Sequence, residues 1–396
     1  MISEWRTVCL NDVVSILGDG LHGTPQYDDN GEYYFINGNN LSDGRIVFKG
    51  ETKKVSRAEY EKYRKDLNQR TILVSINGTL GNVAVYNGEK CILGKSACYF
   101  NVKPDVDKDF VRYVVSTETF RDYIRRYANG TTIKNVSLRV MRDYQFLLPE
   151  LPVQQEIAAT LSTIDNRIAA NRAINHHLER LAQAIFKSWF VDFEPFGGVI
   201  PDTWRKGTLG DILQSIKHPI KAGERPELPY VPIDTIPMNS LALTDFCPNE
   251  EAQSSLLTFA KDDILIGAMR VYFHRVAIAA FDGITRTTCF VLRPRDRTYL
   301  EYALLLCNED TTIDYAQNTS KGSTMPYAVW DNGLANMPIA IPSPDVAQEF
   351  SDILHPIIER LRDSLFEIRN LSSLRDSLLP RLMSGELSVA DHGDDK

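Results

Sequence analysis

From Leu151 to Phe196 the chain reads LPVQQEIAATLSTIDNRIAANRAINHHLERLAQAIFKSWFVDFEPF, a run with no glycine and, after Pro152, no proline before Pro195. Proline is tolerated in a first helical turn, so the run predicts one long helix. Ile157, Leu161, Ile164, Ile168, Asn171, Asn175, Leu178, Ala182, Ile185 and Trp189 recur in steps of four and three. That is the period of a coiled coil rather than of a simple surface helix. At 1.5 Å per residue the seam from Ile157 to Trp189 spans roughly 50 Å. A stripe of that length needs a second helix to cover it.

The chain carries its own partner, because the first half repeats in the second. Trp204 with LGDIL echoes Trp5 with LNDVV, and DDILIGAMRVYFHRVAIAAF echoes RTILVSINGTLGNVAVY. KGSTMPYAV echoes NGTTIKNVS, and IPSPDVAQEF echoes LPELPVQQEI. An offset near 193 residues is a duplication of whole domains, not a solenoid period. The seam repeats too, at Phe350, Leu354, Ile357, Leu361, Ser364, Ile368, Leu371, Arg375, Leu378 and Leu382. Two like helices in a duplicated chain bury both seams as an antiparallel pair with pseudo-twofold symmetry. Asn171 and Asn175 then specify register at some cost in stability, the alternative being that they face solvent where the pair frays.

The remaining segments divide around these helices. In the first, LNDVVSIL, EYYFINGNNLS and GRIVF read as strands, and SRAEYEKYRKD as a helix with Ser56 and Glu59 placed as a capping box. RTILVSINGTLGNVAVYNG is two strands about a glycine-rich loop, and KCILGKSACYFNVKP is a further strand pair. DKDFVRYVVSTETFRDYIRRYANG supplies one or two helices with Arg121, Arg125 and Arg126 outward, before a closing strand. VDFEPFGGVIPDTW, rich in glycine and proline, reads as a linker. The expected fold is α+β: two similar mixed α/β domains separated by two long antiparallel coiled-coil helices. Expected boundaries are 1–150 and 197–342 for the domains, 151–196 and 343–389 for the helices, and 390–396 for an acidic tail.

Composition narrows the function. With 396 residues, 43% of them hydrophobic, there is ample core for two or three domains. The absence of a long apolar run and the charged, polar start MISEWRTVCLNDVV point to the cytosol and away from a membrane. Cys9, Cys91, Cys98, Cys247, Cys289 and Cys307 lie without C-x-x-C spacing, so neither a disulfide framework nor a zinc site is expected. The net charge of −8 is uneven, with about +2 in 1–150, −1 in 151–200, −4 in 201–342 and −5 in 343–396. Any nucleic-acid surface is then a local patch on an acidic body.

Catalytic equipment is not evident. GEKCILGKS, from Gly88 to Ser96, has five residues between its glycines where a phosphate loop has four. Glu51-Thr52-Lys53 has a nuclease-like form but lacks a Pro-Asp partner and any counterpart in the second half. His176 and His177 are helix neighbours and point to different sides, which disfavours joint metal ligation. What remains is glycine-rich loops bearing amides, hydroxyls and cations at matching places. In the first domain these are Asn77, Thr79 and Asn82, with Thr131, Thr132, Lys134 and Asn135; in the second, Arg270, Tyr272, His274 and Arg275, with Lys321, Ser323 and Thr324. Asparagine can pair with adenine and arginine with guanine, while lysine and hydroxyls hold phosphates. Ordinary turn chemistry is the competing explanation for each.

Taken over its full length, the chain resembles the specificity subunit of type I restriction-modification enzymes. The resemblance rests on LPELPVQQEIAATLSTIDNRI, LERLAQAIFKSWFVDFEPF, PDVAQEF and LRDSLLPRLMSGEL, with ILVSINGTLGNVAV and ILIGAMRVYFHRVAIA in the two halves. It implies two target-recognition domains, each reading half of a split double-stranded DNA sequence. It also implies paired helices that set the spacing and hold two methyltransferase subunits, joined by restriction subunits. S-adenosylmethionine would then belong to the methyltransferase, ATP and magnesium to the restriction subunit, and no cofactor to this chain. MRVYFHR stands where INGTLGN stands, so the halves should read different bases. The alternatives are a DNA-modifying or DNA-cleaving enzyme with its own site, and a coiled-coil scaffold that binds only protein.

Overall fold

A computed structural model describes residues 5–42, 44–130, 133–243, 245–253, 255–322 and 324–388. Contacts divide the chain into two units, Met1–Asp165 with Ser373–Lys396 and Asn166–Ser372. The chain therefore passes from one unit to the other twice, once within each long helix.

Each unit is built on the same sheet. In the first, Val14–Asp19, Ala97–Val102, Thr71–Ser75 and Val83–Val85 lie in that order, every pair antiparallel. In the second, the order is Leu213–Ser215, Cys289–Pro294, Ile264–Gly267 and Val276–Ile278, again antiparallel throughout. A smaller strand pair closes each unit, Arg6–Cys9 with Gln145–Leu148 and Arg205–Thr208 with Pro338–Ile341. Each unit also has a second sheet with one parallel pairing, Tyr33–Ile36 on Cys91–Leu93 and Tyr230–Val231 on Gly283–Arg286. TILVS and ILIG are buried along their whole length, as continuous apolar runs in a covered sheet require.

The duplication extends to a detail that the apolar content of LNDVVSIL obscured. A single helical turn, Leu10–Val13, interrupts the expected strand before Val14–Asp19 begins. The Asp12 carboxylate accepts from the Cys9 amide at 2.8 Å, and Asp211 accepts from the Thr208 amide at 2.8 Å in the second unit. A side-chain acceptor three residues on satisfies the orphan amide of the turn, and this local bond outweighs strand propensity. The Ser56 cap on Arg57–Tyr63 is as expected, but only half of the box forms, because Glu59 accepts from the Gln26 amide instead.

The long helices are Leu151–Phe190 and Pro344–Met383. The first stops six residues before Phe196, since Phe193 adopts a left-handed φ of 54° and Gly197 and Gly198 follow with φ of 76° and 80°. The expected linker is ordered by its aromatic rings: Phe190 and Trp204 lie 5.5 Å apart, Phe196 and Trp204 5.3 Å, and Trp189 and Phe196 5.9 Å.

The helices run antiparallel in both units. In the second unit Arg167 pairs with Glu367 at 2.8 Å, while the Phe186 and Phe350 rings lie 6.2 Å apart. In the first, Arg375 pairs with Asp165 at 3.2 Å, and Ile157, Leu161 and Leu382 share one core with the sheet. Each long helix contributes to both units. Ala182 and Phe186 join Phe350, Leu354, Ile358 and Leu361 in the core of the second unit. On the first helix Ile164 and Ile168 are buried and Leu178 is half-buried. On the second helix Ile368 is buried, and Ile357, Leu371 and Leu378 are half-buried while Ile358 and Leu365 are buried outright. A straight helix drifts about 20° per heptad against a strict 3.5 repeat, which moves the seam sideways in this way. Asn171 is 1% exposed and accepts from Arg360, and Asn175 donates to Ser364, so both face the partner helix rather than solvent.

All six cysteines are free thiols. Burial pushes Cys91, Cys289 and Cys307 up to about 12, which leaves them inert at neutral pH. Among the described residues no helix is long and apolar enough to cross a membrane, and no group of three or more metal-ligating side chains occurs.

Candidate nucleic-acid interface

In the first unit, residues 76–82 connect Thr71–Ser75 to Val83–Val85. The Ser75 amide donates to the Asn82 carbonyl at 2.8 Å and the Gly81 amide to the Ser75 carbonyl at 2.9 Å, which closes the base of the loop. Gly78 and Gly81 take left-handed φ of 75° and 84°, a conformation open to glycine without penalty. A second loop follows the helix Glu118–Tyr127, where Asn129 and Asn135 exchange amide-to-carbonyl bonds of 2.8 Å.

The two loops are laced together. Gly78 donates to the Lys134 carbonyl at 3.0 Å, Val136 to the Ile76 carbonyl at 2.8 Å, and the Asn77 Nδ2 to the Asn135 Oδ1 at 3.1 Å. Thr79, Lys134 and Asn135 are exposed, and Asn77 and Asn82 are half-buried. Thr131 and Thr132 lie outside the described residues, as does Ser323 in the second unit.

The second unit forms the same lacing 192 residues later. Arg270 donates to the Pro326 carbonyl at 2.9 Å, Ala328 to the Ala268 carbonyl at 2.8 Å, and Lys321 and Tyr327 exchange bonds of 2.9 Å. The Gly267 amide donates to the Arg275 carbonyl at 2.9 Å, which closes a loop one residue longer than its counterpart, with the extra residue taken up in the 3-10 turn Val271–Phe273. Arg270 and His274 occupy the left-handed places of Gly78 and Gly81, with φ of 50° and 48°. Side chains rarely adopt that conformation, at a cost of about 1–2 kcal/mol, so what they replace is a cheaper glycine.

Two expected contact residues turn inward. His274 is buried with Nε2 2.9 Å from the Asn308 carbonyl oxygen. The Arg275 guanidinium donates to the carbonyls of Ile233 and Asp234, each at 3.1 Å, and also to that of Ile236. All three bonds are made by Nη1, and the side chain is only 16% exposed, so Arg275 ties its loop to the preceding segment instead of standing out in solvent. Arg270, Tyr272, Lys321 and Thr324 remain exposed.

Sequence reasoning missed a cleft of about 490 Å³ beside the loops of the first unit, lined by Asp19, His22, Asn77, Lys95 and Asn135. His22 Nε2 lies 2.6 Å from Asp19 Oδ2, and the exposed Lys95 side chain has no partner among the described residues. Lys95 does not belong to a phosphate loop: the Gly94 and Lys95 amides donate to the carbonyls of Ile36 and Leu21, leaving no nest of free amides. In the second unit the missed residues are Phe273, Met325 and Tyr327, all exposed. Tyr327 could have been found by carrying Asn135 through the repeat.

Residues 2–180 and 201–367 match the family described as the type I restriction modification DNA specificity domain. The type I restriction enzyme MjaIX specificity subunit of Methanocaldococcus jannaschii is 25% identical, covering 98% of this chain and 94% of that one. The type I restriction enzyme HindI specificity subunit of Haemophilus influenzae is 21% identical over 69% of this chain and 76% of its own. Among solved structures, the S subunit of a type I restriction-modification system from M. genitalium superposes with a TM-score of 0.61 at 18% identity, covering 96% of each chain. That likeness shows a fold shared over 96% of the chain.

Proposed function

The chain belongs to the type I restriction modification DNA specificity family, and from that premise we propose that its two units each read one half of a bipartite double-stranded DNA target. The observation that carries this reading is the repeated lacing of two loops, with the same backbone bonds between them and different side chains. A fixed backbone frame with variable exposed groups is what independent reading of two base sequences requires. Thr79, Lys134 and Asn135 are the proposed contacts in the first unit, with Asn77 and Asn82 behind them. Arg270, Tyr272, Lys321 and Thr324 are those in the second.

Catalysis belongs to partner subunits. The paired helices are proposed to hold two methyltransferase subunits, which bind S-adenosylmethionine and methylate adenine. Restriction subunits that use ATP and magnesium complete the assembly. This chain transfers no group itself, in keeping with the family's role in recognition. Retention of labelled duplex by the chain with its methyltransferase, against scrambled competitor, tests the reading. Preferential retention of one bipartite sequence is expected; equal retention of both would leave only a protein scaffold.

Arg270→Gly separates the two roles of that position. Discrimination in one half-site should fall by about 1–3 kcal/mol. Stability should hold or rise by up to about 1 kcal/mol, because glycine relieves the left-handed strain. Competition binding and denaturant unfolding measure the two effects. An equal loss at every base position would identify a phosphate contact instead.

A further inference from the structure

Four large apolar side chains stand in water on the laced loops of the second unit: Tyr272, Phe273, Met325 and Tyr327, exposed by 46%, 38%, 50% and 47%. The Tyr272 and Phe273 rings lie 4.9 Å apart. Arg275, anchored to backbone carbonyls, sits 5.9 Å from the Phe273 ring centroid. Single exposed apolar residues are ordinary, but several together at one loop tip mark a binding surface. Arg270 and Lys321 flank the cluster and are exposed, so its complement carries negative charge as well as an apolar group.

The first unit has the same frame with other chemistry. Asn77 stands in the place of Met269 and Asn135 in the place of Tyr327, joined by a side-chain hydrogen bond, with Gly78 and Thr79 at the tip. Of the groups that the major groove presents, one is apolar, the thymine methyl. We infer that the second unit recognises its half-site chiefly by packing these side chains against thymine methyl groups, whereas the first unit reads by amide hydrogen bonds. The inference rests on the proposed bipartite reading and names the chemistry by which one half is read. A protein partner would suit an apolar patch equally, but equivalence of position with the amide-bearing loops and the two flanking cations favour DNA.

The test uses the chain assembled with its methyltransferase. Methylation-site sequencing first gives both half-sites. Duplexes then carry deoxyuridine for thymidine in one half-site or the other, which removes methyl groups and leaves base pairing intact. Affinity should fall roughly fourfold for each methyl that loses an apolar contact, and the fall should be larger in one half-site. Tyr272→Thr and Tyr327→Asn should remove the sensitivity of that half-site alone, leaving binding of the other half unchanged. A half-site of the second unit without thymine, equal tolerance of deoxyuridine in both halves, or a sensitivity untouched by both variants would overturn the inference. In each of those outcomes preference for the cognate duplex over scrambled DNA persists, so bipartite reading survives; loss of that preference removes both.

Discussion

Adding four residues after Asn171, matched by four after Ser364, is expected to keep both half-sites and to lengthen the spacer between them by one or two base pairs. Four residues add about 6 Å of helix and slightly more than one turn, so the seam continues to face its partner. Both helices must grow together. The chain passes between the units within each of them, and an insertion in one alone would slip Asn175 from Ser364 and Phe186 from Phe350. Inserting two residues in each instead rotates the following seam by about 200°. That turns Leu178, Ala182 and Phe186 away from the core they fill, and methylation should be abolished. Methylation-site sequencing of the four-residue variant decides the matter: an unchanged spacer with full activity would show that the helices do not set it.

The second large effect concerns Glu179, a carboxylate only 6% exposed on the first long helix. Its Oε1 accepts from Ser240 Oγ at 2.6 Å and from the amides of Leu241 and Ala242 at 2.8 and 3.0 Å. Glu179→Ala leaves two buried amides and a hydroxyl without an acceptor, each unsatisfied donor costing about 1–3 kcal/mol. A loss of about 2–5 kcal/mol in unfolding free energy is expected. Glu179→Gln keeps an acceptor oxygen and should lose much less. Arg180→Ala, exposed on the same helix, is the comparison; an equal, small effect from Glu179→Ala would contradict the anchoring role.

The long helices and their pairing were legible because a four-three seam is written in residue type alone and occurs twice. The two sheets were legible for a similar reason, through TILVS and ILIG as buried runs at matching places. Residue type does not record where a side chain points, and there the reading failed. His274 and Arg275 are as polar as Arg270, yet the fold spends them on Asn308 and on the carbonyls of Ile233, Asp234 and Ile236. The cleft of Asp19, His22, Asn77, Lys95 and Asn135 draws on four separated stretches of chain, so no local motif announces it. The turn Leu10–Val13 was hidden by the β-branched, apolar content of LNDVVSIL, which a single carboxylate overrides.

If the laced loops are the readers, they should be exchangeable, because the backbone bonds that lace them to each other coincide across the repeat. Grafting residues 76–82 onto 268–275 and residues 129–136 onto 321–328 places the reading surface of the first unit on the second. Sequencing the methylation sites of the assembled complex is the most direct measurement. The expected target has a second half that has become a copy of the first, with the original first half retained. A folded, active complex that still methylates the original bipartite sequence would contradict it.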